Sequence, residues 1–137
     1  MLKIEHIGIA VKSIKEAVDT FSSLFDKSSY KVEAVEAEGV TTSFFKIGES
    51  KVELLEATTT NSPIAKFIEK RGEGIHHLAF QVEDLQKEIA RLKKEGFTIL
   101  NEEPRKGADN KLVCFLHPKS VNGVLIELCQ EIKDITT

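Results

Sequence analysis

The chain has 137 residues, 41% hydrophobic and 30% charged, with a formal net charge of −3. That composition suits one soluble globular domain, or two half-domains sharing a core. It gives no reason to expect nucleic-acid binding, and no apolar run approaches the roughly 20 residues needed to span a bilayer. Met1-Leu2-Lys3-Ile4-Glu5-His6 enters a strand at once, so no signal peptide is expected. Cys114 and Cys129 lie in apolar, strand-like runs and read as buried, reduced thiols of a cytoplasmic protein.

The first strand is expected over Lys3 to Val11. Ser13-Ile14-Lys15-Glu16 is a capping box, and a helix with Ile14, Ala17, Val18, Phe21 and Leu24 on one stripe runs from it to about Phe25. Strands follow at roughly Tyr30 to Glu36, Val40 to Ile47 and Lys51 to Glu56, with Gly48-Glu49-Ser50 as a hairpin loop. Ser62-Pro63 is an N-cap and N1 pair that opens a linking helix to about Lys70, which Arg71-Gly72-Glu73-Gly74 ends. Ile75 to Val82 is the next strand, and Asp84 caps a helix that runs to Glu95 and stops at Gly96. Phe97 to Asn101, Lys111 to Leu116 and Gly123 to Cys129 complete the strands, and the tail from Glu131 is expected to fray.

This order, βαβββ twice with a helix between, is matched by a repeat in the residues themselves. His6 to Val18 aligns without a gap on His77 to Ile89, at an offset of 77 − 6 = 71. Lys51 to Leu55 aligns on Leu125 to Cys129, at 127 − 53 = 74. Two copies of one unit packed together are therefore expected: an α+β fold of tandem βαβββ modules, in which a curved, mostly antiparallel sheet surrounds a metal cleft and the helices lie outside. Module one is about 1–57, the linker about 58–74 and module two about 75–131.

Each module carries one His near its start and one Glu near its end. Strand side chains alternate faces, so His6 shares its face with Gly8 and Ala10, while Ile7, Ile9 and Val11 point toward the helix. His77 likewise shares its face with Ala79 and Gln81, opposite Leu78, Phe80 and Val82. Glu53 and Glu127 stand opposite Val52/Leu54 and Ile126/Leu128. A lone strand histidine is usually structural, but burying an unpaired carboxylate is costly, and two such pairs at equivalent positions favour a divalent metal held by His6, Glu53, His77 and Glu127. Two nitrogens and two carboxylate oxygens suit Co, Mn, Ni, Zn or Fe(II), and an octahedral ion would keep two positions open for Lewis-acid chemistry. The parity of His76 turns it toward the helix side, and His117 sits in the turn His117-Pro118-Lys119-Ser120, so both read as structural.

Several stretches carry a resemblance: His6 to Val11, Val52 to Glu56, Ser62 to Phe67, Gly74 to Phe80, Glu102 to Arg105, and Phe115 to Ser120 leading to Gly123 through Leu128. In them the chain resembles the vicinal-oxygen-chelate superfamily, and most closely its methylmalonyl-CoA epimerase family. The resemblance implies epimerisation of (2R)- and (2S)-methylmalonyl-CoA. The metal, a divalent ion such as Co, Mn, Ni or Zn, would polarise the thioester, and Glu127 would be both ligand and base. The family accepts Gln at position 53. Some members carry a Glu three residues after the glycine that matches Gly39; Thr42 stands there in this chain, and Glu36, Glu38, Glu53 or a water are the alternatives. Arg105, Lys106, Lys111 and Lys119 are candidates to meet the CoA phosphates.

Two other readings share the fold. A glyoxalase I-like lactoylglutathione lyase would use the same four ligands on a glutathione hemithioacetal, but such enzymes tend to carry Asp-Pro-Asp-Gly where this chain has His-Pro-Lys-Ser. A non-catalytic small-molecule-binding protein needs no metal, and the four intact ligands count against it. The expected partner is an acyl-CoA thioester, with no nucleic acid and no membrane, and the expected assembly is a homodimer.

Overall fold

A computed structural model describes residues 1–101 and 103–132. Of the tail expected to fray from Glu131, Glu131 itself ends the last strand, and the residues from Lys133 on, like Glu102, lie outside the described residues. The elements follow the expected order: β1 (Lys3–Ala10), α1 (Ile14–Phe25), β2 (Lys31–Val35), β3 (Val40–Ile47), β4 (Ser50–Ala57), α2 (Pro63–Arg71), β5 (Gly74–Gln81), α3 (Leu85–Lys94), β6 (Arg105–Lys106), β7 (Lys111–Leu116) and β8 (Ile126–Glu131). Among the described residues no helix is long and apolar enough to cross a membrane.

The chain forms two compact units. One is His6–His76; the other joins Met1–Glu5 to the residues from His77 on. β1 therefore opens in one unit and finishes in the other, and β5 does the reverse. His6 and His77 are the first residues after these crossings.

The strands of the first module run in the order β2-β3-β4-β1, and those of the second in the order β5-β8-β7-β6. In each, the first strand pairs parallel with the last, and the other pairings are antiparallel. The repeat read from the residues is thus a repeat of topology. α1 packs on Ile9, Val11, Phe45, Val52 and Leu54 through Ile14, Ala17, Val18, Phe21 and Phe25. α3 buries Leu85, Ile89 and Leu92 against Leu78, Phe80, Cys114, Leu116, Ile126 and Leu128. These are the helix-side residues that strand parity selects.

The helix starts repeat too. Ser13 Oγ accepts from the Glu16 backbone N–H, and Asp84 Oδ1 accepts from that of Lys87. At the next orphan donor, Glu56 Oε1 accepts from the Ile14 N–H at 2.7 Å, and Gln130 Oε1 accepts from the Leu85 N–H at the same distance. Glu56 and Gln130 are 130 − 56 = 74 residues apart, the offset of the Glu53/Glu127 pair. Each helix N-terminus, which favours an acceptor, is thereby tied to the strand that carries its module's glutamate.

Two strand expectations need correction. Phe97 to Asn101 forms no strand; it touches β7 through a single bridge, Ile99 to Leu116. The Asn101 side chain takes the place of a backbone ladder there, with Oδ1 accepting from the Phe115 N–H and Nδ2 donating to the Val113 carbonyl. The edge partner of β7 is instead the two-residue β6. The strand expected to reach Glu36 stops at Val35, because Glu36–Glu38 make a 3-10 turn that Gly39 ends in the left-handed conformation.

Cys114 and Cys129 are both buried, and neither forms a disulfide. Burial, with a smaller contribution from the Glu127 charge, pushes the Cys114 thiol up to about 11. Native protein at pH 8 should not react with Ellman's reagent, and denatured protein should release two equivalents per chain; rapid reaction of the native form would contradict the burial.

Candidate active site

In the first unit, Glu53 lies on β4 between Phe44 of β3 and Gly8 of β1. His6 shares the β1 face with Gly8, and its Nδ1 stands 3.0 Å from Glu53 Oε2. Both side chains are buried.

In the second unit, Glu127 lies on β8 between Phe115 of β7 and Ala79 of β5. His77 Nε2 stands 3.4 Å from Glu127 Oε1, and both are buried. The Phe115 ring meets the His77 ring edge-on, with centroids 6.0 Å apart, and fixes its plane. Phe44 and Phe115 are 115 − 44 = 71 residues apart, so each module sets a phenylalanine across from its glutamate.

The donor sets fit a divalent ion. Two ligand atoms about 2.1 Å from one ion are about 3.0 Å apart at adjacent corners of an octahedron, and about 3.4 Å apart in a tetrahedron. The observed separations of 3.0 and 3.4 Å fall in the range open to two ligands of one ion, and the shorter is equally that of a hydrogen bond. The longer one exceeds a good N–H···O hydrogen bond. Imidazole with carboxylate, and no thiolate, is the donor chemistry of Mn, Co, Ni, Zn or Fe(II).

His76 and His117 are accounted for elsewhere. His76 packs edge-on against Phe67 at 5.0 Å, and burial pushes its pKa down to about 4, so it is neutral near pH 7. His117 Nδ1 accepts from the Lys119 N–H at 2.9 Å and caps the 3-10 turn Pro118–Ser120. Of the four basic candidates, Arg105, Lys106 and Lys119 are exposed, whereas Lys111 is buried with its Nζ 3.7 Å from Glu131.

Polar residues that sequence reasoning passed over are also buried. Glu5, 1% exposed, precedes His6 on β1. The signal that singled out Glu53, an acid inside an apolar strand, was present for Glu5 as well. Among the described residues, Thr42 Oγ1 and Gln81 Oε1 are the buried side-chain polar atoms with no hydrogen-bond partner. Thr42 shares the β3 face of Phe44, and Gln81 shares the β5 face of His77. Of the alternatives to an acid at Thr42, Glu36 is exposed and Glu38 half-buried, both in the 3-10 turn.

A surface cavity of about 830 Å³ lies in the second unit beside the α3 N-terminus. Glu83, Asp84, Glu88 and Glu103 line it against a single cationic side chain, Lys87. That charge balance is the wrong sign for a phosphate-bearing ligand, and none of the paired His and Glu residues lines it.

Comparison with known proteins places the chain in a family. Residues 5–115 match the model of the glyoxalase/bleomycin resistance protein/dioxygenase superfamily. The chain belongs to that superfamily. The match includes His6, Glu53 and His77 and ends short of Glu127. The chain is 40% identical to the mitochondrial methylmalonyl-CoA epimerase of Dictyostelium discoideum, over 92% of this chain and 76% of that one. It is 38% identical to the ethylmalonyl-CoA/methylmalonyl-CoA epimerase of Cereibacter sphaeroides, over 93% and 97%. The structure of a variant of Streptomyces coelicolor methylmalonyl-CoA epimerase in complex with 2-nitronate-propionyl-CoA superposes with a TM-score of 0.92 at 34% identity, covering 96% of this chain and 95% of that one. The α+β fold of this superfamily member is therefore that of the epimerase structures.

Proposed function

We propose that the protein is a metal-dependent methylmalonyl-CoA epimerase, in which one divalent ion (Co, Mn, Ni or Zn) per chain draws on His6, Glu53, His77 and Glu127. The observation that carries this reading is the buried His/Glu pair that each module repeats, at separations of 3.0 and 3.4 Å. Near full-length similarity to epimerases supports the substrate class. When bound, the ion supplies Lewis acidity to the thioester carbonyl.

The remaining work belongs to side chains. Glu127 takes the C2 proton from one face of the substrate as general base, holding it on a carboxylate oxygen, and an acid on the other face returns a proton to C2 of the enolate, which inverts the centre. Phe115 covers Glu127 from the neighbouring strand and limits the access of water. Phe44 does the same beside Glu53. Arg105, Lys106 and Lys119 meet the CoA phosphates, each through a charge-assisted bond; Lys111 is engaged by Glu131. The protein works as a homodimer in the cytoplasm.

Proton NMR in deuterated water tests the reaction. Metal-loaded protein is expected to exchange the C2 proton of methylmalonyl-CoA far faster than the protein-free background, and EDTA treatment to abolish the gain. Metal analysis of the loaded protein should give one ion per chain. No acceleration with Co, Mn, Ni or Zn would defeat this reading and direct the next assay to the methylglyoxal–glutathione hemithioacetal.

A further inference from the structure

Of the asparagines in the chain, at positions 61, 101, 110 and 122, Asn122 is the one followed by glycine. That dipeptide has a covalent chemistry of its own. A main-chain nitrogen that attacks the side-chain amide of the residue before it closes a five-membered ring, and a glycine offers that nitrogen with no side chain in the way. Asn122 and Gly123 are both exposed, so water and hydroxide reach them.

The folded turn keeps the reacting atoms off this path. Asn122 stands at φ 52°, in the left-handed region that asparagine enters more readily than most residues, and Gly123 follows at φ 85°. The Gly123 nitrogen would be the nucleophile, and its N–H donates to the Pro118 carbonyl at 2.8 Å. The Val121 N–H donates to the same carbonyl at 2.9 Å, and the Val124 N–H to the Val121 carbonyl at 3.0 Å. A nitrogen whose proton is engaged in this way can neither yield it to base nor swing toward the side chain. The turn is anchored to the segment after α3 by two further bonds. Ser120 Oγ accepts from the Thr98 N–H at 2.9 Å, and the His117 N–H donates to the Thr98 carbonyl at 2.9 Å.

We propose that Asn122 is a deamidation site locked by this turn, which reacts only in molecules where the turn has opened. In the open state base removes the Gly123 amide proton, and the nitrogen attacks Asn122 Cγ. A C–N bond forms, and the side-chain nitrogen leaves as ammonia, taking up a proton. Water then opens the ring at one of its two carbonyls and leaves aspartate or isoaspartate. A neutral side chain thereby becomes a carboxylate, and the isoaspartate product adds one carbon to the main chain, 127 − 122 = 5 residues ahead of Glu127. The modification marks molecules that open here, and it requires neither metal nor substrate.

The test maps peptides of the full-length protein by mass spectrometry after incubation at pH 8, folded or in concentrated urea, and follows the conversion of amide to acid at each asparagine. In urea Asn122 should react before the other three. In the folded protein its reaction should be at least about tenfold slower, since it draws on the open population alone. The protection of the Gly123 amide against hydrogen exchange in folded wild type should match that slowing within about threefold, because both processes need the same opening. Ser120→Ala loses one anchor, and should speed the folded-state reaction about threefold or more with no change in urea. Ser120→Thr keeps the hydroxyl and should react as wild type does.

Equal rates in folded and unfolded wild type overturn the lock, as does a Gly123 amide that exchanges without protection. An unchanged folded-state rate in Ser120→Ala overturns the part given to the turn. Asn122 reacting no faster than the other asparagines in urea overturns the site itself.

Discussion

Glu127→Gln should leave a folded protein whose C2-proton exchange is about 10³-fold slower than that of wild type, the scale on which a positioned general base contributes. The substitution keeps the shape of the side chain and one oxygen to stand beside His77 Nε2, now 3.4 Å away. It removes the capacity to accept a proton. Far-UV circular dichroism and melting temperature should stay close to wild type, which separates lost chemistry from lost fold. Glu53→Gln gives the contrast. The resemblance accommodates Gln at that position, so this variant should keep exchange within about tenfold of wild type, with only the metal affinity weakened. Equal losses in the two variants would show that the glutamates are equivalent ligands and that the base lies elsewhere. Full activity of Glu127→Gln would exclude it as the base.

Gly39→Ala should lower the melting temperature by about 10 °C, from a cost of about 2–4 kcal/mol. Gly39 closes the 3-10 turn at φ 65° and ψ 38°, where a side chain is disfavoured. Its environment adds a second penalty. A methyl group there would stand 2.8 Å from Ser62 Cβ and 3.2 Å from Thr59 Oγ1. Ser62 cannot easily yield: it is buried, and its Oγ caps α2 by accepting from the Ala65 N–H. The Gly39 carbonyl also accepts from the Thr58 N–H at 2.8 Å, so a shift of the turn would strain the exit of β4. A melting temperature within about 2 °C of wild type would show that the turn has more room than this packing allows.

Much of the candidate site was legible because two independent periodicities agree on it. Strand alternation sets His6, Glu53, His77 and Glu127 opposite the helix-side residues, and the 71- and 74-residue offsets repeat each pair. Both signals are local, and both survive folding unchanged. The features that escaped have no local signature. Asn101 replaces backbone pairing with its amide, so an alternating segment reads as a strand where only one bridge forms. Lys111 looks like any surface lysine until its pairing with Glu131 appears. The orphan hydroxyl of Thr42 is a statement about what is missing around it, and a threonine in a strand gives no hint of that. The clamps from Glu56 and Gln130 lie between: their shared offset was present in the sequence, but their partners are 42 and 45 residues away.

The division of β1 and β5 between the two units bears on how the protein is made. Met1–Glu5 leaves the ribosome well before the residues from His77 on, yet belongs with them. The Leu2 N–H donates to the Gln81 carbonyl, 81 − 2 = 79 residues later. The leading strand therefore waits, incompletely paired, until the second half has been synthesised, and folding is committed late, as contacts of long sequence separation demand. The same arrangement constrains how the duplication can be undone. A cut in the linker at Gly72 gives two pieces that match the sequence repeat but not the compact bodies, since each piece carries the opening residues of a strand that the other unit needs. Two such fragments should fold poorly when expressed separately and recover structure when expressed together.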